Sequence, residues 1–308
     1  MKDEKVVMVY DKKHGMPSNY ILSLEEDHQG NIYAGTHSGG LVRITSDGQL
    51  ETFHMKDDDS GILIFNLHVD DDGGIWIVAI HGLFYFDGKN FTKIVLDEGQ
   101  RGENYFDWVE DTRGNVWVTS NVGVVRLVKE DVKAFIHGRI KVVRAKRYDS
   151  NDGIINKEST GATRSLLTND GKVWIPAIGG VTVVRSIDIT ENKLPPPVYI
   201  TNFYVDTDTT QLSDKAEIQP GHFRYVFEYT ALSFQAPQKN KFSYKLEGIN
   251  NEWSTPAPTR EAEFTNLPPG KYTLQVRGSN NDNVWNNASS SLSFTVLPYF
   301  YQTIMFYV

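Results

Sequence analysis

A short segment recurs four times in the first 186 residues, and it constrains the fold more than any other feature of the chain. Each copy has an acidic or amide-rich turn, a glycine and then a β-rich run that holds an aromatic residue. The turn glycines are Gly30, Gly73, Gly114 and Gly171, which stand 43, 41 and 57 residues apart. A period near 40 residues with several short strands per copy is typical of β-propeller blades. The sequence therefore predicts four blades.

The residues inside each copy fit the packing of a blade. We expect Asp27, Asp71 and Asp111 to bond turn amides, and each turn glycine to adopt a backbone angle that is costly for other residues. An aromatic residue follows each glycine by three positions and should be buried as a wedge between blades. These residues are Tyr33, Trp76, Trp117 and Trp174. Blade packing alone explains them, so we assign them structural roles.

The repeat ends after Arg185, and a different pattern begins at Val198 beyond a run of three prolines. From there apolar and polar residues alternate with a period of two, which predicts an antiparallel β-sandwich of immunoglobulin or fibronectin type. The aromatic residues expected in its core are Phe227, Tyr244, Trp253, Tyr272 and Phe294. The predicted fold class is all-β, a partial β-propeller of about four blades followed by an immunoglobulin/fibronectin-like β-sandwich. The predicted domains are propeller blades over residues 1–186, a proline-containing linker over 187–197, the sandwich over 198–298 and a juxtamembrane start over 299–308.

Composition and motifs argue against several functions. The net charge is −8, so we expect no nucleic-acid partner, and the absence of cysteine removes thiolate nucleophiles, disulfides and cysteine metal sites. The common hydrolase, dinucleotide, nucleotide and zinc motifs do not occur. The acidic runs at residues 57–59 and 70–72 lack the glutamate that a calcium loop needs at its twelfth position. We therefore predict no catalytic residue, no cofactor and no metal.

Three stretches carry a resemblance to a known family. They are HGMPSNYILSLEEDHQGNIYAGTHSGGLVRI from His14, the segment from Asp149 to Asn156 with the Gly171 copy, and FEYTALSF, FSYKLEGINNEWS and FTNLPPGKYTLQVRGSNNDNVWN between Phe227 and Asn286. They resemble regulator-propeller repeats and the triple-tyrosine (Y_Y_Y) domain that follows them. The resemblance covers nearly the whole chain.

This resemblance implies the periplasmic sensor region of a bacterial hybrid two-component system, of which the chain would be the carboxy-terminal part. It implies that the fragment is not an enzyme, that its ligand is an oligosaccharide released from a glycan, and that it forms a homodimer through the sandwich. It also implies an anchor in the inner membrane through a downstream helix that leads to a histidine kinase. We expect Tyr299, Phe300, Tyr301, Phe306 and Tyr307 to lie at the membrane interface, because their rings suit that environment.

Two groups of residues are candidates for binding a ligand. If the strand before each aspartate turn is the innermost one, Asn19, His37, His81 and Asn121 lie together on the opposite rim of the propeller. The second group, Arg144 and Lys146, belongs to a basic cluster that could hold an anionic sugar. The same basic residues could instead form the solvated face of an edge strand.

Two other functions remain open at the level of the sequence. The first is a propeller carbohydrate-active enzyme, a glycosidase or lyase with an accessory sandwich, which would need acid and base groups at a fixed separation. The second is an adhesion or scaffold protein, whose dimer geometry would not respond to a ligand.

Overall fold

The fold is given by a computed structural model that describes residues 6, 8–55, 62–97, 103–161, 163–210 and 216–302. The chain divides into two compact units, Met1–Ile189 and Thr190–Val308. Strands dominate both units, and the described residues contain a single α-helix, which lies in the first unit. The predicted all-β class, propeller blades followed by a sandwich, is confirmed.

The first unit consists of four antiparallel sheets, one for each copy of the repeat. The first three have four strands and the last has three. The strands are β1 (Ile21–Glu26), β2 (Ile32–Thr36), β3 (Leu41–Ile44) and β4 (Leu50–Phe53); β5 (Ile64–Val69), β6 (Ile75–Ala79), β7 (Gly82–Phe86) and β8 (Phe91–Lys93); β9 (Tyr105–Glu110), β10 (Asn115–Ser120), β11 (Gly123–Val128) and, after α1 (Lys129–Ile136), β12 (Ala145–Tyr148); and β13 (Leu166–Leu167), β14 (Lys172–Ala177) and β15 (Gly180–Arg185). The first strands of successive sheets contact one another, which makes β1, β5, β9 and β13 the innermost strands.

The turn between the first two strands of each blade is built as the repeat predicts. The four turn glycines have φ angles of 78°, 81°, 75° and 77°, in the left-handed region that favours glycine. Each glycine N–H donates to the carbonyl of the residue three positions earlier. Side chains of Asp27 and Asp111 accept turn N–H groups, as expected. In the second blade the equivalent residue is Asp70, so the expectation for Asp71 was wrong: the Asp71 side chain is exposed and lies 3.7 Å from Lys129 Nζ.

The aromatic wedge is confirmed in three blades and wrong in the fourth. Tyr33, Trp76 and Trp117 are 3%, 1% and 1% exposed, and Trp76 stacks on Trp108 of the next blade at 4.9 Å between ring centroids. Trp174 is 42% exposed. Its cross-strand neighbours Leu166 and Val183 are also exposed, at 60% and 43%, so this part of the fourth sheet is open to solvent.

The second unit is a sandwich of two four-stranded sheets. Its strands are β16 (Val198–Val205), β17 (Asp208–Thr210), β18 (Ala216–Ile218), β19 (Arg224–Ala231), β20 (Lys241–Glu247), β21 (Glu261–Thr265), β22 (Gly270–Ser279) and β23 (Ser290–Val296). The sheet orders are β17-β16-β19-β21 and β18-β23-β22-β20. The β18–β23 pair is parallel and the other pairs are antiparallel.

Stacked aromatic rings fill the core between these sheets. Phe203 and Phe227 stack at 4.3 Å, and Phe294 packs against both rings at 5.2 and 5.5 Å. Of the predicted core residues, Phe227, Tyr272 and Phe294 are buried there and Tyr244 packs against them while partly buried.

Trp253 is not in this core, and that prediction was wrong. Its ring centre lies 4.3 Å from the guanidinium carbon of Arg277, whose other neighbour is the ring of Trp285 at 5.2 Å. Arg277 follows the buried Val276 on β22, so its side chain points to the outer face of the sheet. Trp253 therefore covers a cation on the outside of the sandwich.

Side chains hold the start and the middle of the predicted linker. In the first unit, Arg113 Nη1 donates to the carbonyls of Ser186 and Ile187 at 3.2 and 3.3 Å. In the second unit, the fully buried Asn280 donates from Nδ2 to the carbonyls of Asn192 and Leu194 at 2.6 and 2.9 Å. Residues 192–194 are therefore held by the loop that follows β22.

Candidate functional site

The turns between the second and third strands of the blades lie on one edge of the first unit. His37 N donates to Tyr20 O at 3.0 Å and Asn121 N donates to Asn104 O at 3.3 Å, so each turn is joined to the residue that precedes its own innermost strand. In the turn between β6 and β7 the equivalent residue is Ile80, whose N–H donates to Leu63 O at 3.0 Å, and His81 follows it. The structure thus places His37, His81 and Asn121 on one edge, which we call the turn rim.

Two histidines of the turn rim are exposed on constrained backbone. His81 has a φ of 67°, and Ser38, which follows His37, has a φ of 60°. Such angles cost a non-glycine residue on the order of 1 kcal/mol or more, and they persist only where the surrounding structure holds them. The His37 ring lies 6.2 Å from the ring of Tyr20, which is 74% exposed. An imidazole and an aromatic ring are therefore presented side by side to solvent.

The two candidate asparagines already have structural hydrogen bonds. Asn19 Oδ1 accepts the N–H of Lys12 at 2.8 Å, which shapes the loop before β1. Asn121 Oδ1 accepts the N–H of Asn104 at 3.0 Å, which closes the turn on its own blade. Their amide oxygens therefore hold loops in place, whether or not they also meet a ligand.

The two basic candidates lie elsewhere. Arg144 immediately precedes β12 and Lys146 is within it, and β12 is the outermost strand of the third sheet. Lys146 Nζ lies 5.3 Å from the ring centre of Tyr148 on the same strand. The structure does not bring these residues together with the turn rim, and their position on an edge strand fits the alternative of a solvated strand face.

Sequence reasoning missed a polar position that recurs on the innermost strands. Seven residues before the turn glycines stand Ser23, Asn66, Asp107 and Arg164. The first three are at most 4% exposed. Asn66 Nδ2 donates to Asp107 Oδ1, and the N–H of Ser165 donates to Asp107 Oδ2. The buried carboxylate of Asp107 therefore joins three consecutive blades, and counting back from the glycines would have revealed the position.

Other groups near this carboxylate have unused hydrogen-bonding capacity. Asn66 Oδ1 and Ser165 Oγ are buried without a hydrogen-bond partner. Arg164 reaches back to Glu25 of the first blade, with 3.7 Å between Nη1 and Oε2. These polar groups are suited to bind a hydroxyl group or a water molecule.

Half-exposed aromatic rings stand next to this polar position. Phe65 and Phe106, each one residue before it, meet edge to face at 5.1 Å. Gly161 lies against both rings, because a Cβ atom built there would be 2.8 Å from Phe65 and 3.2 Å from Phe106. Only glycine fits this close approach.

The aspartates of the first turns are structural. Burial would raise the pKa of Asp111, but hydrogen bonds from the Trp117 indole and from Asn115 outweigh it, and the pKa is lowered. Burial likewise opposes ionisation of Asp70, whose pKa is nevertheless lowered by Lys133 and Lys129 of helix α1. Both carboxylates are therefore ionised at neutral pH; Asp111 is bonded within its own blade, and Asp70 is paired with the helix of the next blade.

Metal binding has no support in the part of the chain that the structure describes. No three His, Cys, Asp or Glu side chains there are grouped so that they could hold an ion. The described helices also include none that is both long and apolar enough to cross a membrane.

Two segments match known families. Residues 15–38, which include part of the first blade, match the two component regulator propeller family. Residues 233–297, which include most of the sandwich, match the Y_Y_Y domain family.

Two proteins are similar to nearly the whole chain. Histidine kinase P4 of Formosa agariphila is 24% identical over 306 residues, which cover 92% of this chain and 21% of that protein. The extracellular domain of a hybrid two component system from B. thetaiotaomicron has the same fold, with a TM-score of 0.79, 20% identity, and coverage of 97% of this chain and 41% of that one. The chain thus spans about a fifth of the curated relative and less than half of the solved domain. It contains regulator-propeller sequence followed by a Y_Y_Y domain, in an arrangement that resembles the sensor region of two-component histidine kinases.

Proposed function

We propose that this chain is the extracytoplasmic sensing and signal-relay region of a membrane-anchored sensor histidine kinase, located in the periplasm. One observation carries the proposal: the similarity to a histidine kinase and to the extracellular domain of a hybrid two component system extends across both units. A match to the blades alone would fit many unrelated propellers. The succession of regulator-propeller repeat and Y_Y_Y domain is much more specific.

The proposed ligand is an oligosaccharide, and the turn rim is the part of the first unit best suited to it. Exposed His37 and His81 offer ring nitrogens that can donate or accept, and Tyr20 offers a flat ring next to His37. Sugar hydroxyl groups need such polar partners, and sugar C–H faces pack on aromatic rings. Asn19 and Asn121 are proposed to contribute through their loops. Arg144, just before the outer strand β12, and Lys146, within it, would meet only a ligand that extends from the rim to that strand.

The proposed signal is a shift between conformations of the sensor. A ligand that binds one conformation more tightly than another raises its population by the difference in binding free energy. We propose that the chain acts as a homodimer through the sandwich and that the change passes to an inner-membrane helix and a kinase beyond this chain. No chemical step on the ligand is required, so the fragment is proposed to be a receptor and not an enzyme.

Calorimetric titration with a panel of neutral and acidic oligosaccharides tests the ligand and its site. We expect one class to bind, and His37→Ala to weaken binding by about 3- to 10-fold, the effect of losing one hydrogen bond. His28→Ala is the matched control, because His28 is an exposed histidine of the same blade in the turn at the opposite edge. Equal losses in the two variants would contradict a site on the turn rim.

Two further measurements separate the proposal from its alternatives. New reducing ends after incubation with polysaccharides would show a glycosidase or lyase. Sedimentation equilibrium with and without the bound oligosaccharide measures the dimer, and an adhesion protein would show binding without any effect of the ligand on self-association.

A further inference from the structure

Four segments of the sandwich meet at one end of its two sheets. Strand pairing shows this, because Val205 is opposite Tyr225, while Gly270 and Ile218 are both opposite Val296. The turn at residues 206–207, the loop at 219–223, the turn at 266–269 and the segment at 297–302 therefore lie at the same end. The loop that contains Phe234 follows Ala231 at the other end of β19.

This end presents aromatic side chains to solvent. Phe223 is 63% exposed, Phe300 73%, Tyr301 43% and Tyr299 38%. We call these four residues the aromatic end. Tyr299 and Tyr301 stack at 5.2 Å between ring centroids, and a Cβ atom on Gly221 would lie 3.2 Å from the Tyr299 hydroxyl. The 219–223 loop and the 297–302 segment are therefore neighbours.

Phe223 is exposed on a backbone that is fully hydrogen-bonded. Its N–H donates to Asp206 Oδ1 at 3.0 Å, and its carbonyl accepts the N–H of Asn266 at 2.7 Å. The N–H of Arg224 donates to the same Asp206 oxygen at 2.9 Å. The exposed Phe223 ring is thus held on an ordered loop and adds to a group of exposed rings, and such groups mark surfaces that bind a partner or a membrane.

The charges around Phe223 are paired. The second oxygen of Asp206 lies 2.7 Å from Nδ1 of His222, and hydrogen bonds from His222 and the backbone lower the pKa of this carboxyl. Arg224 pairs with Glu263, with 2.8 Å between Nη2 and Oε2. Bringing this end to an apolar surface therefore leaves few single charges without a partner.

We propose that the aromatic end docks on the headgroup region of a phospholipid bilayer, with the Phe223 ring inserted beside Tyr299, Phe300 and Tyr301. Tyrosine and phenylalanine suit this region because their rings take up the apolar boundary while the tyrosine hydroxyl stays hydrated. The segment that leaves the sandwich after β23 is part of the same end, so a chain anchored beyond it brings Phe223 to the surface. This step rests on the proposed membrane-anchored function.

Docking is a property of the anchored chain. A few rings bind a bilayer weakly by themselves, and a second attachment makes the contact stable. The docked end then fixes the tilt of the sandwich on the membrane. The opposite end, with Phe234 at 87% exposure, has no part in it.

A labelling experiment on tethered protein tests this docking. The chain has no cysteine, so Thr207→Cys places a single environment-sensitive fluorophore in the exposed turn at the aromatic end. The full chain with a carboxy-terminal hexahistidine tag is bound to vesicles of phosphatidylethanolamine and phosphatidylglycerol that contain a nickel-chelating lipid. Quenching by nitroxide-labelled lipid reports contact with the membrane. We expect strong quenching at position 207 and none for the same label at Phe234→Cys.

A second substitution tests the role of Phe223. In the Thr207→Cys background, Phe223→Asp should weaken docking by about tenfold or more, the effect of losing one buried phenylalanine. Phe234→Asp is the matched control and should leave quenching unchanged. A water-exposed label at position 207, or quenching that survives Phe223→Asp, overturns the proposal. The tether replaces the natural membrane anchor, so a negative result would overturn the docking of the aromatic end but not the proposed sensor function. Oligosaccharide titration tests that function separately.

Discussion

The indole N–H of Trp117 donates to Asp111 Oδ2 at 2.9 Å, and this bond joins the turn of the third blade to its aromatic wedge. The second blade lacks this bond: Asp70 pairs with Lys129 and Lys133, and the indole nitrogen of Trp76 has no hydrogen-bond partner. The repeat identified Asp111 and both tryptophans in the sequence, but it named Asp71 in place of Asp70. The partners of Asp70 come from helix α1, an insertion that the described residues of the other copies do not contain, whereas those of Asp111 lie within its own blade.

A turn glycine is expected to be costly to replace. Gly114→Ala should lower the free energy of unfolding by about 1–3 kcal/mol, because its φ of 75° is strained for any residue with a Cβ atom. Gly180→Ala is the control, since this glycine lacks a positive φ and its Cβ position is uncrowded, 3.7 Å from the nearest atom. Urea unfolding of both variants measures the difference. Equal midpoints would contradict the turn assignment.

The lowered pKa of Asp111 predicts a dependence of stability on pH. Its folded pKa is below the unfolded value of about 3.9, so its contribution is present above that value and is lost as the pH falls through the folded pKa. Asp111→Asn should therefore be less stable than the parent at pH 7, by about 1–3 kcal/mol, with a smaller difference at pH 2–3. Thermal unfolding across pH 2–7 measures this. A pH-independent difference would argue against an ionised Asp111.

At the scale of elements, the sequence predicted the strands of the blades well, but it did not predict the exposure of the aromatic residue in the fourth blade. Turn glycines and alternating residues identify strands because they reflect local backbone geometry and the two faces of a sheet. Burial of an aromatic wedge depends on the next element, which the repeat cannot show. Trp174 has the sequence position of Trp117, yet its strand neighbours Leu166 and Val183 are 60% and 43% exposed.

Trp117 and Trp174 are therefore expected to contribute differently to the free energy of unfolding. Trp117→Ala should cost about 3–5 kcal/mol through lost burial and a cavity, whereas Trp174→Ala should cost clearly less because its ring is already 42% exposed. Chemical denaturation followed by circular dichroism compares the two. Similar losses would mean that another surface covers Trp174 in solution.

At the scale of the whole molecule, the two units have separate cores. The cluster around Phe203, Phe227 and Phe294 draws all its members from the second unit. Residues 190–308 expressed alone should therefore fold, with one cooperative thermal transition and slow exchange of the β19 and β22 amides. An unfolded or molten fragment would show that the sandwich needs the blades.

The candidate site could be predicted only in part from the sequence. Turn chemistry placed His37, His81 and Asn121 on one edge, because hairpins of a repeat face the same way. The basic pair Arg144 and Lys146 could not be located from the sequence, since the place of β12 at the outer edge follows from the sheet order. The inner position of Asp107 was missed because its residue type changes from blade to blade.

The hydrogen bonds that hold residues 192–194 to the loop after β22 affect how this chain would transmit a mechanical force. Tension applied at Thr190 reaches the loop at residues 280–286 before it reaches β16, because Asn280 holds the carbonyls of Asn192 and Leu194 and Asp282 accepts the N–H of Asn192 at 2.7 Å. These bonds join the entry of the sandwich to the end of β22, a central strand of its sheet. A force applied from the side of the first unit would thus act on the central strand β22 and would not separate β16 from its sheet first.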